Sequence, residues 1–393
     1  MRYILRNLVS NRAKRIGYSG LRQIQGIAKE IKEPIIDFSI GDVNFNTETW
    51  ICEAGYKAMK DGFTHYTPVL GYKGLRDVLA EKLSKENLID VDPESEILIA
   101  AGGSEGLFAT FLATINPGDE VLIEDPTYAL FAPMIGICDG KVIGLPLREK
   151  SDYCLTAEAI SDKITPKTKM LVLCNPHNPT GCVRSKEELR SIAKVCIEQD
   201  ILVLSDETYE KIIYDNHTHF SIGSLPNMKE RTITLISLSK NYAMTGWRLA
   251  YLAADKELMN QIAKMHAYNV SAAQTPGQYA AAEAIRGSQE GVLKRVEEYR
   301  KRRDFIVKRL NEMDRISCKI PMGSFYAFPN ISKLGKKSFK VAKHLLKQGK
   351  ILAVQGTAYG ECGEDHIRFN FGLTSMEEIG EGMNRMEKSL ASI

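Results

Sequence analysis

Residues 169–207, KMLVLCNPHNPTGCVRSKEELRSIAKVCIEQDILVLSDE, hold two apolar runs of strand length with one helical segment between them. Residues 170–174 and 201–204 are almost wholly Leu, Val, Ile and Met, the composition of strands covered on both faces. The intervening SKEELRSIAKVCIEQ reads as the crossover helix. A strand, a helix and a second apolar strand predict neighbours in a parallel sheet.

The alternation continues outward in both directions. Upstream lie EILIAAGG, the helical SEGLFATFLATI closed by NPGD, then EVLIEDP and KVIGLPL; downstream lie RTITLISLS and WRLAYLAA. Together they predict an α/β fold with a mostly parallel sheet between helices. One long amphipathic helix is expected from about 278 to 313, with Val292, Leu293, Val296, Ile306 and Leu310 on its apolar side. Residues 315–393 mix strand-like GSFYAFPNI, ILAVQG and HIRFNFG with helices, a smaller α+β unit. The expected division is an N-terminal arm and part of the small domain over 1–45, a large domain over 46–285 and a small domain over 286–393.

Composition excludes several classes. The 52 basic and 49 acidic residues nearly cancel, leaving no electrostatic case for a nucleic-acid partner. The basic cluster YRKRRD has acidic neighbours and no aromatic platform, so it reads as a solvated helix face. No apolar run is long enough to span a membrane, and the first residues lack a secretory pattern. The eight cysteines match neither a zinc site nor a disulfide framework, so no metal and a cytoplasmic location are expected.

Sites in doubly wound sheets gather at the carboxyl ends of the strands. Those ends deliver Gly103 and Ser104; Asp125 and Tyr128; Asn175 and Asn178; Asp206 and Tyr209; and Ser237, Ser239 and Lys240. Each has an ordinary reading beside the chemical one. GGSEGL is an anion cradle at a helix N-terminus, or simply an N-cap at Ser104. Asp206 is a turn residue, or a carboxylate that keeps a ring nitrogen protonated. Lys240 is a surface lysine, or an amine made nucleophilic by desolvation and nearby cations. His65 and His177 read as structural.

The set as a whole resembles the class I/II aminotransferases, the fold type I enzymes that depend on pyridoxal 5′-phosphate. The resemblance rests on SLSKNYAMTGWRLAY, with FSIGDVNFNT, HYTPVLGYKGLRDVLAEKL, AAGGSEGL, NPGDEVLIEDPTYALF, NPHNPTGCV, LVLSDETYEKIIYD, GSFYAFPNI and HIRFNFG in the family's order. It implies that Lys240 joins the cofactor as a Schiff base and then moves the substrate proton. Asp206 would hold the pyridinium nitrogen protonated, with Asn178 and Tyr209 on the phenolic oxygen and Tyr128 on the ring face. Gly103, Ser104, Ser237, Ser239 and Arg248 would hold the phosphate, joined by Tyr66 from a second subunit of a homodimer. Arg368 would clamp the substrate α-carboxylate, aided by Gly41 and Asn178.

The function so implied is transfer of an α-amino group to a 2-oxo acid, 2-oxoglutarate above all, by a ping-pong route. A β-elimination lyase or another fold type I activity is the alternative, because all share the same start at Lys240. A cofactor-binding regulator would need a DNA-binding appendage outside the matched region. A dinucleotide-dependent dehydrogenase would need the Gly-x-Gly-x-x-Gly that is missing. Val43 and Gln355 stand where the family often has proline, on segments expected to line the substrate side. The N-terminal YSGLRQI is expected to fold over the site, contributing Arg22 or Tyr18.

Overall fold

A computed structural model describes residues 8–393. Its strands are β1 (Ile36–Asp37), β2 (Ile97–Ala100), β3 (Glu120–Asp125), β4 (Lys141–Pro146), β5 (Thr168–Cys174) and β6 (Leu202–Asp206). They continue as β7 (Thr232–Ser237), β8 (Ala250–Ala253), β9 (Tyr326–Ala327), β10 (Ile351–Leu352), β11 (Val354–Gln355) and β12 (Ile367–Asn370). The central sheet has seven strands in the order β2-β8-β7-β6-β5-β3-β4. Every neighbouring pair is parallel except the two that β8 makes, which are antiparallel. The sequence expectation of a mostly parallel α/β sheet is met.

Alternate residues of each strand feed opposite faces, as the two-residue period requires. Met170 and Val172 pack with Leu107 and Phe111 of the helix Gly103–Thr114 on one face. Leu171 and Leu173 pack with Leu189, Ile192 and Cys196 of the crossover helix Lys186–Glu198 on the other. Ser185 caps that crossover helix in a reciprocal box with Glu188, which fixes where it leaves the Asn175–Asn178 loop.

Register brings the strand ends level. Cys174 pairs with Asp206, and Asp206 with Leu235, so the loops after β5, β6 and β7 open side by side. A second core joins Ile24 and Phe38 to Tyr299, Phe325, Leu346, Phe369 and Met383, uniting the start of the chain with its end. There β11, β12 and β9 form a three-stranded antiparallel sheet, with Val354 opposite Arg368.

Two sequence expectations change. The single helix over 278–313 is two, Thr275–Arg286 and Glu290–Glu312. Gly287 passes so close to Trp50 that a Cβ there would lie 2.4 Å from the indole, and Gln289 Nε2 donates to the Ala284 and Gly287 carbonyls. Those bonds take up acceptors that a continuous helix would have used. WRLAYLAA is strand only from Ala250: Trp247 ends a 3₁₀ turn, and Arg248 follows in the left-handed region at φ 55°.

Candidate active site

A cavity of about 300 Å³ opens at these strand ends. Every residue to which the family resemblance gave a cofactor or substrate role lines it, Tyr66 excepted. The loops after β2, β5, β6 and β7 supply one side, and Arg368 on β12 supplies the other.

At one end sits the glycine turn. Gly102 has φ 90° and is itself the N-cap of the helix Gly103–Thr114, so Ser104 is not the cap its sequence allowed. A side chain at Gly102 is excluded twice, by that φ and because a Cβ would lie 2.5 Å from Arg248 Nη2. The left-handed Arg248 thus lays its guanidinium against the helix N-terminus, near the hydroxyls of Ser104, Ser237 and Ser239. Free N–H groups, a guanidinium and hydroxyls make an anion site. Arg248 is also held by its own Nη1, which donates to Thr245 O at 2.9 Å.

Asp206 forms the floor. Thr208 donates to Oδ1 through its hydroxyl at 2.6 Å and its N–H at 3.1 Å. Burial outweighs these bonds and pushes the carboxyl up to about 6, with Glu207 adding to the rise. No protein cation offsets that charge among the described residues, so the floor suits a positively charged ring atom.

Below the floor a buried network fixes the loop. Glu207 accepts from Ser205 Oγ at 2.8 Å, Ser221 Oγ at 2.6 Å and His219 Nε2 at 2.8 Å. Glu207, Glu210 and His219 have the spacing of a metal cluster, yet the Lys82 ammonium bonds Glu210 and Asn87 there. Side chains at 207 and 210 are thereby pinned downward, leaving Asp206 and Tyr209 facing the cavity.

Lys240 hangs over this floor, its Nζ donating to the Gly41 carbonyl. Desolvation, reinforced by the charges of Arg248 and Arg368 and opposed by Asp42, lowers the amine to about 8. About a tenth of it is therefore neutral and nucleophilic at pH 7, against well under a thousandth for an ordinary lysine. Tyr128 lies alongside, its phenol pushed up to about 12 by burial, so it stays protonated.

Arg368 closes the far side. Its guanidinium lies between the rings of Tyr326 and Tyr359, 4.3 and 4.7 Å from their centres. Nη1 donates to Asn178 Oδ1 at 3.2 Å, Nη2 donates to Ser39 O, and the buried Nε has no partner among the described residues. A buried guanidinium held flat, with donor capacity left, suits a carboxylate. Tyr209 and Tyr326 share a hydroxyl–hydroxyl bond of 2.7 Å.

Sequence reasoning missed Tyr326, Tyr359, Ile40 and Thr208 on this wall, although all fall inside or beside quoted motifs. The N-terminal segment does reach the cavity, but through Ser19 and Leu21; Tyr18 and Arg22 are exposed and do not line it. Tyr66 is 87% exposed and outside the cavity. His177 is fully buried, bonded to Thr180 Oγ1 at 2.7 Å, and burial lowers it to about 4, as suits a neutral structural residue.

Comparison with known proteins adds the family. Residues 33–386 match the family model for aminotransferase class I and II. The chain belongs to the class I and II aminotransferases. It is 38% identical over 384 residues to aromatic-amino-acid aminotransferase 2 of Thermococcus litoralis, covering 97% of this chain and 98% of that one. It is equally similar, at 38% and with the same coverage, to an aspartate aminotransferase of Pyrococcus abyssi. The solved aromatic aminotransferase of Pyrococcus horikoshii superposes with a TM-score of 0.89 at 37% identity, covering 93% of this chain and 98% of that one. This aminotransferase acts on amino acids. Among its described residues no helix is long and apolar enough to cross a membrane.

Proposed function

We propose that this aminotransferase binds pyridoxal 5′-phosphate in the cavity and uses it to move an α-amino group from an amino acid to a 2-oxo acid, in two half-reactions at one site. The observation that carries the reading is one cavity uniting a lysine amine lowered to about 8, a buried carboxylate raised to about 6 and an anion cradle. The donor set fits the cofactor: cradle for phosphate, Asp206 for the ring nitrogen, and Asn178 and Tyr209 for the phenolic oxygen.

Bound there, the cofactor supplies an aldehyde for amines and a protonated ring that withdraws electrons from the substrate carbon. The protein does the rest. Gly103, Ser104, Ser237, Ser239 and Arg248 hold the phosphate by hydrogen bonds and charge. Asp206 stays ionised once it faces a cation, and so keeps the ring nitrogen protonated. Tyr128 packs on the ring face. Arg368 would hold the α-carboxylate, with Asn178 and the Gly41 backbone beside it, in the same cavity as the Lys240 amine. Lys240 is the covalent anchor and the base that takes and returns the Cα proton.

The proposal includes a homodimer in which Tyr66 serves the neighbouring subunit's phosphate, and a cytoplasmic setting in keeping with eight free thiols. It also includes the division into a large domain over 46–285 and a small one built from 1–45 and 286–393; the separate core uniting the two chain ends supports it. Absorbance of the purified holoenzyme during single half-reactions tests the function. Conversion of the bound cofactor to its amine form by an amino acid, reversed by a 2-oxo acid, is expected. Release of ammonia with no acceptor present would indicate a lyase instead.

A further inference from the structure

We propose that Tyr326 joins the two halves of the site: its hydroxyl aims Tyr209 at the cofactor's phenolic oxygen, and its ring holds Arg368 ready for the substrate's α-carboxylate. Tyr326 acts through these two residues and is a positioning residue. The inference rests on the functional reading above.

Its place follows from strand register. Tyr326 on β9 stands opposite Asn370 on β12, which makes Arg368 its diagonal neighbour on the same face of the ladder. The Arg368 guanidinium accordingly lies 4.3 Å from the centre of the Tyr326 ring. Tyr326 is buried within its own chain, so these contacts need no second subunit. Its hydroxyl reaches the loop after β6, 2.7 Å from that of Tyr209. It also crowds Gly41, where a Cβ would lie 2.6 Å from the Tyr326 oxygen. The Gly41 carbonyl accepts from Lys240 Nζ, and the Ser39 carbonyl accepts from Arg368 Nη2. One side chain therefore touches the carboxylate clamp, the phenolic-oxygen donor and the loop that receives the lysine.

The direction of the tyrosine pair gives the hydroxyl its work. Around Tyr326 stand Tyr209, Arg368, Cys174 and Asp42, with Tyr128 and Tyr359 beyond. Burial is the largest influence on it and holds the phenol above its ordinary value. Tyr209 is raised by burial as well. Both stay protonated, and either hydroxyl can donate to the other. Once Tyr209 gives its one proton to the phenolic oxygen, only Tyr326 can donate along the 2.7 Å bond. That donation polarises Tyr209 and strengthens the bond Tyr209 makes to the phenolic oxygen. A phenolic oxygen so satisfied holds the neighbouring Schiff-base proton less firmly. The ring does separate work, since a guanidinium stacked on its face keeps one plane for a carboxylate.

The test is the absorbance of the bound cofactor against pH in the resting holoenzyme, which reports the Schiff-base proton with no substrate present. Tyr326→Phe removes the hydroxyl and keeps the ring. The midpoint is expected to rise by about half a pH unit, with KM for an amino-acid donor within about twofold of the parent. In a Tyr209→Phe background the same substitution is expected to move the midpoint by less than about a third as much, because its route is gone. General damage to the site would move both backgrounds alike. Tyr326→Met removes the ring and is expected to raise that KM by about tenfold; should it fail to fold, Tyr326→Leu takes its place. An unmoved midpoint in Tyr326→Phe, an equal shift with and without the Tyr209 hydroxyl, or a KM unchanged by loss of the ring overturns the inference and leaves transamination intact. If the parent shows no Schiff-base absorbance at any pH, it is the functional reading that fails.

Discussion

Arg184 donates through Nη2 to Glu124 Oε1 with both side chains fully buried, directly behind the loop that carries Asn178. Glu124 Oε2 also accepts the Cys174 N–H at 2.9 Å, and the Arg184 N–H donates to Asn175 Oδ1 at 3.0 Å. Burial works against the Arg184 charge, yet Glu124 holds it protonated more firmly than usual. Glu124→Gln removes the counter-charge and leaves a buried guanidinium whose Nε and Nη1 have no partner among the described residues. The expected cost is about 3–5 kcal/mol, read from urea unfolding. Replacing both residues with apolar ones of similar volume is expected to be close to neutral in the same assay.

The amine of Lys240 sets a pH dependence. Its folded value of about 8 lies below the ordinary 10.5, so folding favours the neutral form. The sign follows: Lys240 costs stability below pH 8, and the cost fades as pH rises from 8 towards 10.5. In cofactor-free protein, labelling of Lys240 by an amine-selective reagent, followed by mass spectrometry, is expected to rise with a midpoint near pH 8. Arg248→Gln removes one of the like charges and is expected to move that midpoint upward. A midpoint at or above the ordinary 10.5 in the parent protein would remove the physical basis for its nucleophilicity.

Strand-end chemistry was legible because apolar runs of strand length announce where each strand stops, and the next polar residues must face the sheet's carboxyl edge. Asp206 after ILVLS and Asn175 after LVLC were readable on that ground alone. What the strand pattern does not carry is contact between distant segments. Tyr326 and Tyr359 sandwich Arg368 only because β9, β11 and β12 fold into one ladder. Leu21 reaches the cavity through Gln355, far away in the chain, and Tyr18 and Arg22 lose that place to the phase of a single helical turn. The break at Gly287 follows from Trp50, whose position no local pattern reveals.

Asp206 trades stability for function. Its folded value of about 6 stands above the ordinary 3.8, so the ionised carboxylate is disfavoured in the folded chain. The cost is absent below pH 3.8, grows from there to 6 and is complete above 6. Asp206→Asn is therefore expected to raise the stability of the cofactor-free protein near neutral pH by about 2–3 kcal/mol. The same variant is expected to lose most of its transaminase activity, since an amide cannot hold a ring nitrogen protonated. Paired thermal melts and activity assays check both halves; a cofactor-free variant less stable than its parent would contradict the assignment.

Tyr66 offers a test of quaternary structure that needs no structure of the dimer. Its ring is 87% exposed and outside the cavity, an unfavourable state for a large apolar side chain unless another surface covers it. If its hydroxyl serves the neighbouring subunit's phosphate, a dimer of Lys240→Ala with Tyr66→Ala protomers contains one complete site: Lys240 from the second chain and Tyr66 from the first. If Tyr66 serves its own subunit, that dimer contains none, because each site lacks one of the two residues. Co-expression with two affinity tags isolates the mixed species. Its activity per dimer is expected to be about half that of the parent, well above either variant's own homodimer, as one intact site of two requires. Activity no higher than that of the Tyr66→Ala homodimer would place the residue in its own subunit's site or outside the chemistry altogether.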